Sequence, residues 1–522
     1  MLESAASEEV IELGLKQFVL ALSVALSVTA LTQLIGRLRQ VPYTLVLVMV
    51  GLALAFVDIR LVELSPELIL LIFLPPLLFE ASWNLKWGEL KRQLIPVCLL
   101  AVFGVVIAVL GIAFGLHQVA GLSLTSALLI GASLAATDPV SVTALFRELG
   151  IGGSRLSTLT EGESLFNDGM AVVAFGFLVG LPLGTATLSV QSVLLQLVTV
   201  VGIGIAVGGV VGFGISYLTQ RFDLPLVEQS LTLVATYATY LITEDLGGSG
   251  VIAVVVAGLV LGNYGSRIGM NPRTRVIVSE FWDFLAFFIN SIVFLLVGDQ
   301  IRYEGLLDNL GLIGVTVLSM LLARAIATFV LCFLSDRMTQ SQIPIREQTV
   351  LWWGGVRGTV SIALALSVPV VLPEREDIIS IVFGAVLFTL LVQGLTVKPM
   401  MIKLNLLDDQ LVREEYLELA ARQFALNRVL ERLQSDKQPD IDPEFYRYQE
   451  ALVKGEIDQT QTKIDKLKGE HPNLVSFIVE QFQEELMEVE ANAYAELVKL
   501  GRLKEELSPT LEAALQEEGN QA

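Results

Sequence analysis

Between residues 15 and 401 the chain repeats one feature, an apolar run about as long as a bilayer is thick, separated from the next by a short polar connection. A helix needs about 20 mainly apolar residues, roughly 17 to 25, to cross the hydrocarbon. Lipid offers no partner to a free backbone N–H or C=O, and a helix satisfies its own. On that scale the sequence holds 13 spans, near 15–36, 42–58, 66–84, 94–117, 122–146, 159–181, 190–218, 226–245, 249–264, 276–299, 308–335, 348–372 and 377–401. Composition agrees: 53% of residues are hydrophobic, 17% are charged and the mean hydropathy is +0.67, too apolar for an ordinary soluble domain.

Charge divides the chain. Residues 1–403 carry 21 basic and 28 acidic side chains, and residues 404–522 carry 13 and 26, giving net charges of −7 and −13. The expected organisation is a transmembrane domain, 1–403, and an acidic helical tail, 404–522, with a regulatory or dimer-contacting role. Basic residues accumulate on the cytoplasmic side of a membrane protein. With the N-terminus outside, 15 basic residues of the first part fall on the cytoplasmic side, four fall outside, and Arg324 and Arg357 lie within spans. An odd span count then delivers the tail to the cytoplasm, in an integral protein of the plasma membrane. Met1 to Lys16 lacks the basic start of a cleaved signal. In the tail, apolar residues recur at helical spacing over Leu411–Gln434 and Leu474–Leu507, with Pro439, Pro443 and Pro472 as boundaries. The acidity argues against nucleic acid as a partner, and Cys98 and Cys332 with two histidines suggest neither a disulfide nor a metal cage.

Ionisable side chains at membrane depth are costly and point to function. In span 5 Pro139 removes a backbone donor and breaks the helix. Freed carbonyls near Thr137, the Thr137 hydroxyl and the Asp138 carboxylate then offer oxygen ligands, while Asp138 as cap of the following half-helix is the competing reading. In span 6 the apolar stretch Met170–Leu181 is only 12 residues. The helix must reach back to about residue 160, carrying Glu163, Ser164, Asn167 and Asp168 into the membrane as four polar groups facing a single cavity. Arg324, mid-span, needs a buried anion, for which Glu163 is the natural candidate. Three glycines surround Arg357 in span 12, which reads as a second interruption. There Arg357 either offsets a half-helix C-terminus or pairs with a carboxylate. Spans 5 and 12 occupy equivalent places in two six-helix halves, the expected position of a transporter site. The Gly-x-Gly pattern of span 7 has no preceding strand and is no dinucleotide fingerprint. Gly204, Gly208 and Gly212 read as a packing seam, with a second subunit as one candidate partner. Pro75 and Pro76 read as a kink in a packing helix, and Asp283 as lining the cavity or a funnel.

Thr137-Asp138-Pro139-Val140, Glu163-Ser164-x-x-Asn167-Asp168 and Gly355-Val356-Arg357-Gly358 together resemble the monovalent cation:proton antiporters of the NhaP and sodium/proton exchanger branch, over roughly residues 10–403. The resemblance implies an all-α polytopic membrane protein of 13 helices in two inverted six-helix repeats, with crossed, broken helices at spans 5 and 12, assembled as a homodimer. It makes Asp168 the ion-binding carboxylate and Asn167 its neighbour. Thr137, Asp138 and Ser164 become direct or water-mediated ligands, with Asp168, Thr137 and Ser164 around sodium. Glu163 and Arg324 become a structural ion pair. Asn167, where other branches carry a second aspartate, implies electroneutral exchange.

A hard cation prefers oxygen ligands, and burial raises a carboxylate's affinity for a proton. Sodium and proton therefore compete for Asp168, and exchange follows if only the neutralised site reorients. No cofactor is called for, and no enzyme activity; monovalent cation and proton are the substrates and the lipid bilayer the surroundings. A potassium/proton antiporter, a cation channel and an intramembrane aspartyl protease are the alternatives. The protease lacks its Gly-x-Gly-Asp sequence around Asp168, and the channel is disfavoured by a lone carboxylate deep among broken helices.

Overall fold

The computed structural model describes residues 2–471 apart from 36–40, 58, 60, 63, 150, 152–153, 185–189, 222–223, 267–269, 271, 340–342, 407 and 436–441, together with scattered positions up to 486. The chain falls into two compact units, Met1–Met400 and Met401–Ala522. Among the described residues the regular structure is all helical.

The first unit contains α1 (Leu2–Leu34), α2 (Tyr43–Phe56), α3 (Leu68–Asn84), α4 (Trp87–Arg92), α5 (Leu94–Gln118), α6 (Leu124–Ser133), α7 (Val140–Glu148), α8 (Arg155–Gly180), α9 (Val190–Thr219) and α10 (Pro225–Asp245). It continues with α11 (Gly250–Gly265), α12 (Pro272–Asp299), α13 (Tyr303–Asp308), α14 (Leu310–Thr339), α15 (Ile345–Trp353), α16 (Thr359–Leu366) and α17 (Arg375–Lys403). Each of the 13 apolar stretches overlaps a helix, and the fifth and twelfth each overlap a pair, α6 with α7 and α15 with α16. Among the described residues, seven helices are long and apolar enough to cross a membrane: those within α1, α5, α8, α9, α12, α14 and α17. In α3 wide π turns over Leu68–Phe73 lead into Pro75 and Pro76, the backbone adjustment that accommodates prolines inside a helix.

Two packed bodies emerge from the helix contacts. In one, α2 and α1 pack on α12, and α9 and α3 pack on α11; in the other, α5 packs on α14, α6 and α8, and α14 packs on α17. Small residues set the spacing. A Cβ at Gly51 of α2 would overlap the Leu295 carbonyl of α12, and one at Gly298 of α12 the Val48 carbonyl of α2. In lipid, where helices gain little by leaving their solvent, such backbone approach is what holds them together. Gly204, Gly208 and Gly212 of α9 face Ile252, Ala253 and Val260 of α11, so this seam closes within the chain and not against a second subunit.

In the second unit α18 (Asp408–Ser435) and α19 (Pro443–Glu470) lie antiparallel: Gln423 Nε2 donates to Gln461 Oε1 at 2.6 Å and Gln434 Nε2 to Glu450 Oε1 at 2.8 Å. Pro443 opens α19, and the Asp442 side chain caps it by accepting from Glu444 N at 2.9 Å. α19 was not expected from the sequence, yet its buried Tyr446, Val453, Thr460 and Leu467 recur every seventh residue. Pro439 and Pro472, and most of the helix expected over 474–507, lie outside the described residues.

Candidate functional site

Between α6 and α7 the backbone leaves the helix over residues 134–139, and between α15 and α16 over 354–358. The two unwound stretches meet where Asp138 N donates to the Val356 carbonyl at 2.8 Å. Pro139 accounts for the first break and Gly354, Gly355 and Gly358 for the second. Away from water, every peptide group freed in this way needs a partner, and side chains supply them. Asn167 Oδ1 accepts from Thr137 N at 3.2 Å, Thr389 Oγ1 accepts from Arg357 N at 3.0 Å, and Gln393 Nε2 donates to the Trp353 carbonyl at 2.9 Å.

Asp138 joins the two short helices that leave the crossing. Its carboxylate accepts from Val140 N at 2.9 Å, at the start of α7, and from the backbone N–H of Thr359, the first residue of α16. Helix N-termini favour a negative charge, and here two share one. The close approach requires Gly358, because a Cβ there would overlap Asp138 Oδ2.

The helix α8 presents the remaining groups on adjoining faces. Ser154 caps it, accepting from Ser157 N at 3.3 Å, so the helix starts well before the apolar run. Glu163, Ser164, Asn167 and Asp168 are all buried, but they do not face one cavity. Glu163 turns to Arg324 of α14, which donates through Nη1 to Oε1 and, at 2.9 Å, through Nη2 to Oε2, and also bonds the Leu351 carbonyl of α15 at 3.1 Å. Such a bidentate pair, with a further hydrogen bond, is the form in which a buried ion pair is tolerated. Asn167 turns to Thr137: its Nδ2 donates to Thr137 Oγ1 at 2.6 Å, and Thr137 Oγ1 shares a hydrogen bond with Ser164 Oγ at 2.9 Å. That leaves Ser164 and Asp168 on a cavity of about 70 Å³, together with Thr137, Asp138, Thr359 and Ser361.

Asp168 is buried, and its Oδ1 has no hydrogen-bond partner among the described residues. A buried polar atom without a partner is uncommon and calls for an explanation; a carboxylate on a small cavity whose lining includes four hydroxyl-bearing residues is a place for a proton or a small cation. Arg357 is also buried, its Nε and Nη1 have no hydrogen-bond partner among the described residues, and Asp168 and Glu163 are its nearby negative charges.

The structure adds Glu80 and Asn290, which line the same cavity from α3 and α12. Glu80 accepts from Asn84 Nδ2 at 2.8 Å, and the same nitrogen donates to Asp283 at 3.0 Å. An acid inside span 66–84 was a signal that sequence reading passed over. Asn290, Thr359 and Ser361 carry no comparable signal, being uncharged residues in apolar runs.

Interrupted helices that cross beside a buried acid, in a polytopic helical membrane protein, define the arrangement of a secondary transporter. The family described as "Sodium/hydrogen exchanger, transmembrane" matches residues 22–403, and the chain belongs to it. The chain is 60% identical over 516 residues to the Na(+)/H(+) antiporter ApNhaP of Aphanothece halophytica, covering 98% of this chain and 99% of that protein. It is 54% identical over 516 residues to the low-affinity Na(+)/H(+) antiporter NhaS1 of Synechocystis sp., covering 98% of each. In fold it is similar to the sodium proton antiporter MjNhaP1 from Methanocaldococcus jannaschii at pH 8, with a TM-score of 0.64 at 22% identity over 76% of this chain and 99% of that one.

Proposed function

We propose that this chain exchanges sodium for protons across a membrane, with Asp168 holding one or the other in turn. The observation that carries the reading is the unpartnered Oδ1 of buried Asp168, a residue that lines one cavity with Thr137 and Ser164. The relatives named as Na(+)/H(+) antiporters, matched along nearly the whole chain, support the same substrates. Asp138 and Asn167 position the unwound strand that carries Thr137. Glu163 is neutralised by Arg324, so one proton exchanges for one sodium and the cycle is electroneutral. No bond of a substrate is made or broken, and no cofactor takes part. The working form is a homodimer in the plasma membrane, and the basic-residue asymmetry supports an N-terminus outside and a cytoplasmic tail.

Purified protein in sodium-loaded vesicles should move protons when the sodium gradient is imposed, with no dependence on membrane potential. Asp168→Asn, which can neither release a proton nor balance a cation, should abolish the exchange. Exchange retained by that variant would refute the assignment of Asp168, and flux of sodium without counter-movement of protons would refute antiport.

A further inference from the structure

We infer that the side-chain amide of Asn290 is a further ligand of the transported cation, supplied by the body of the fold that does not carry the crossing. The inference rests on the reading of the Asp168 cavity as the exchange site and adds to it a residue that sets how tightly sodium is held.

Asn290 lies inside α12, in the apolar run 284–297, whose other polar residue is Ser291. A buried polar group in such surroundings costs free energy unless it finds a partner. Ser291 has its partners: its Oγ donates to the Phe287 carbonyl at 2.7 Å and accepts from Thr29 Oγ1 of α1 at 3.3 Å. The amide of Asn290, buried and on the wall of the cavity, makes no hydrogen bond among the described residues. Helix packing accounts for Ser291 and leaves Asn290 without a structural role.

Most other oxygen-bearing side chains on that wall have partners, although their spare lone pairs remain open to a cation. Thr137 and Ser164 bond each other at 2.9 Å, Asp138 caps α7 and α16, Ser361 Oγ donates to the Ala136 carbonyl at 3.4 Å, and Glu80 accepts from Asn84 Nδ2. Asp168 Oδ1, the Thr359 hydroxyl and the Asn290 amide have none among the described residues.

Hard cations take the carbonyl oxygen of an Asn side chain as a ligand. Such an oxygen adds no charge, so one carboxylate still balances one sodium. A proton needs a single oxygen and a metal ion several, and the amide therefore acts on the sodium side of the competition at Asp168. Because α12 packs on α1 and α2, while Asp168 and Ser164 lie on α8 and Thr137 on the unwound strand, sodium held by both sets joins the two bodies.

The test follows exchange by the full chain in vesicles over a range of sodium concentrations at one pH, beside sodium binding to the purified protein by calorimetry. Asn290→Leu keeps the approximate size and removes the oxygen. It is expected to raise the KM for sodium at least about tenfold, the factor that about 1.4 kcal/mol makes, with the loss falling on KM and not on the maximal rate. Asn290→Asp keeps an oxygen at the same reach and is expected to hold KM at the parent's value or below. Unchanged KM and sodium binding in Asn290→Leu, whether or not its maximal rate falls, overturn the inference and make Asn290 a packing residue. Should Asn290→Leu not fold, Asn290→Ala and Asn290→Asp carry the comparison, and equal sodium binding by these two overturns it. A parent that does not exchange sodium for protons fails the antiport reading and this inference with it, whereas a parent that does, beside an Asn290→Leu protein of equal KM, fails Asn290 alone.

Discussion

Asn167 holds Thr137 twice, accepting from its backbone N–H at 3.2 Å and donating to its hydroxyl at 2.6 Å. A helical residue thereby fixes an unwound strand at the point where that strand must offer oxygen atoms to the cavity. Removing both bonds strands a buried N–H, which costs about 1–3 kcal/mol. Asn167→Ala should therefore melt lower than the parent and bind sodium more weakly. Asn167→Asp keeps the acceptor for Thr137 N, and the Thr137 hydroxyl can turn to donate, so its melting temperature should fall between the other two. Thermal unfolding of the three proteins checks the order; equal melting of the Ala and Asp variants would show that the double contact does not hold the strand.

Gly358 gives a sharper contrast. A Cβ there would overlap Asp138 Oδ2 and displace the carboxylate that caps α7 and α16, whereas a Cβ at Gly176 of α8 meets nothing within 4 Å. Gly358→Ala is expected to abolish exchange, and Gly176→Ala to leave it within about twofold. In an exposed helix the second change is mildly favourable by propensity, by about 1 kcal/mol. Vesicle exchange assays on the pair decide it: an active Gly358→Ala protein would mean that the crossing yields more readily than its contacts suggest.

These two sites also show how far the sequence could be read. Pro139 and the glycines around Arg357 announce breaks because they act on the backbone wherever they stand, and the 12-residue apolar run after Gly169 forces α8 back to buried Glu163 by length alone. The direction each polar group takes was not legible. Helical spacing put Glu163, Ser164, Asn167 and Asp168 on neighbouring faces, but only tertiary packing turns Glu163 to Arg324 and Asn167 to Thr137, leaving two for the cavity. The glycines of α9 carried a packing signal without an address, since a small-residue stripe fits another subunit as well as α11. Glu80 is different in kind. Its charge in an apolar span was visible, and the flanking prolines drew attention to packing instead.

The Glu163–Arg324 pair predicts a particular asymmetry. Breaking a buried ion pair by neutralising one partner leaves the other charge unpaired, at about 3–5 kcal/mol, while removing both charges with shape kept is close to neutral. Glu163→Gln should thus lose most of its folded yield, and Glu163→Gln combined with Arg324→Met should recover part of it. Size-exclusion profiles and melting temperatures of the single and double variants measure this. If the double variant is as unstable as the single, Arg324 matters chiefly through the Leu351 carbonyl it also bonds.

The last prediction concerns the boundary between the two packed bodies. Thr44 at the start of α2 shares a hydrogen bond with Ser141 of α7 at 3.0 Å, and both residues are buried. α2 belongs with α12, while α7 carries the Asp138 side of the crossing, so the bond ties the scaffold to the element that holds the site. A single buried hydrogen bond contributes about 0.5–1.5 kcal/mol, a factor of roughly 2 to 10 in an equilibrium. If exchange requires the crossing to move against α2, Thr44→Val weakens this conformation alone and raises the fraction facing the opposite side by that factor. Cross-linking or labelling of a cysteine introduced at a cavity position, with and without Thr44→Val, reads the shift directly. An unchanged labelling ratio, in a protein that still exchanges normally, would mean that α2 and α7 travel together.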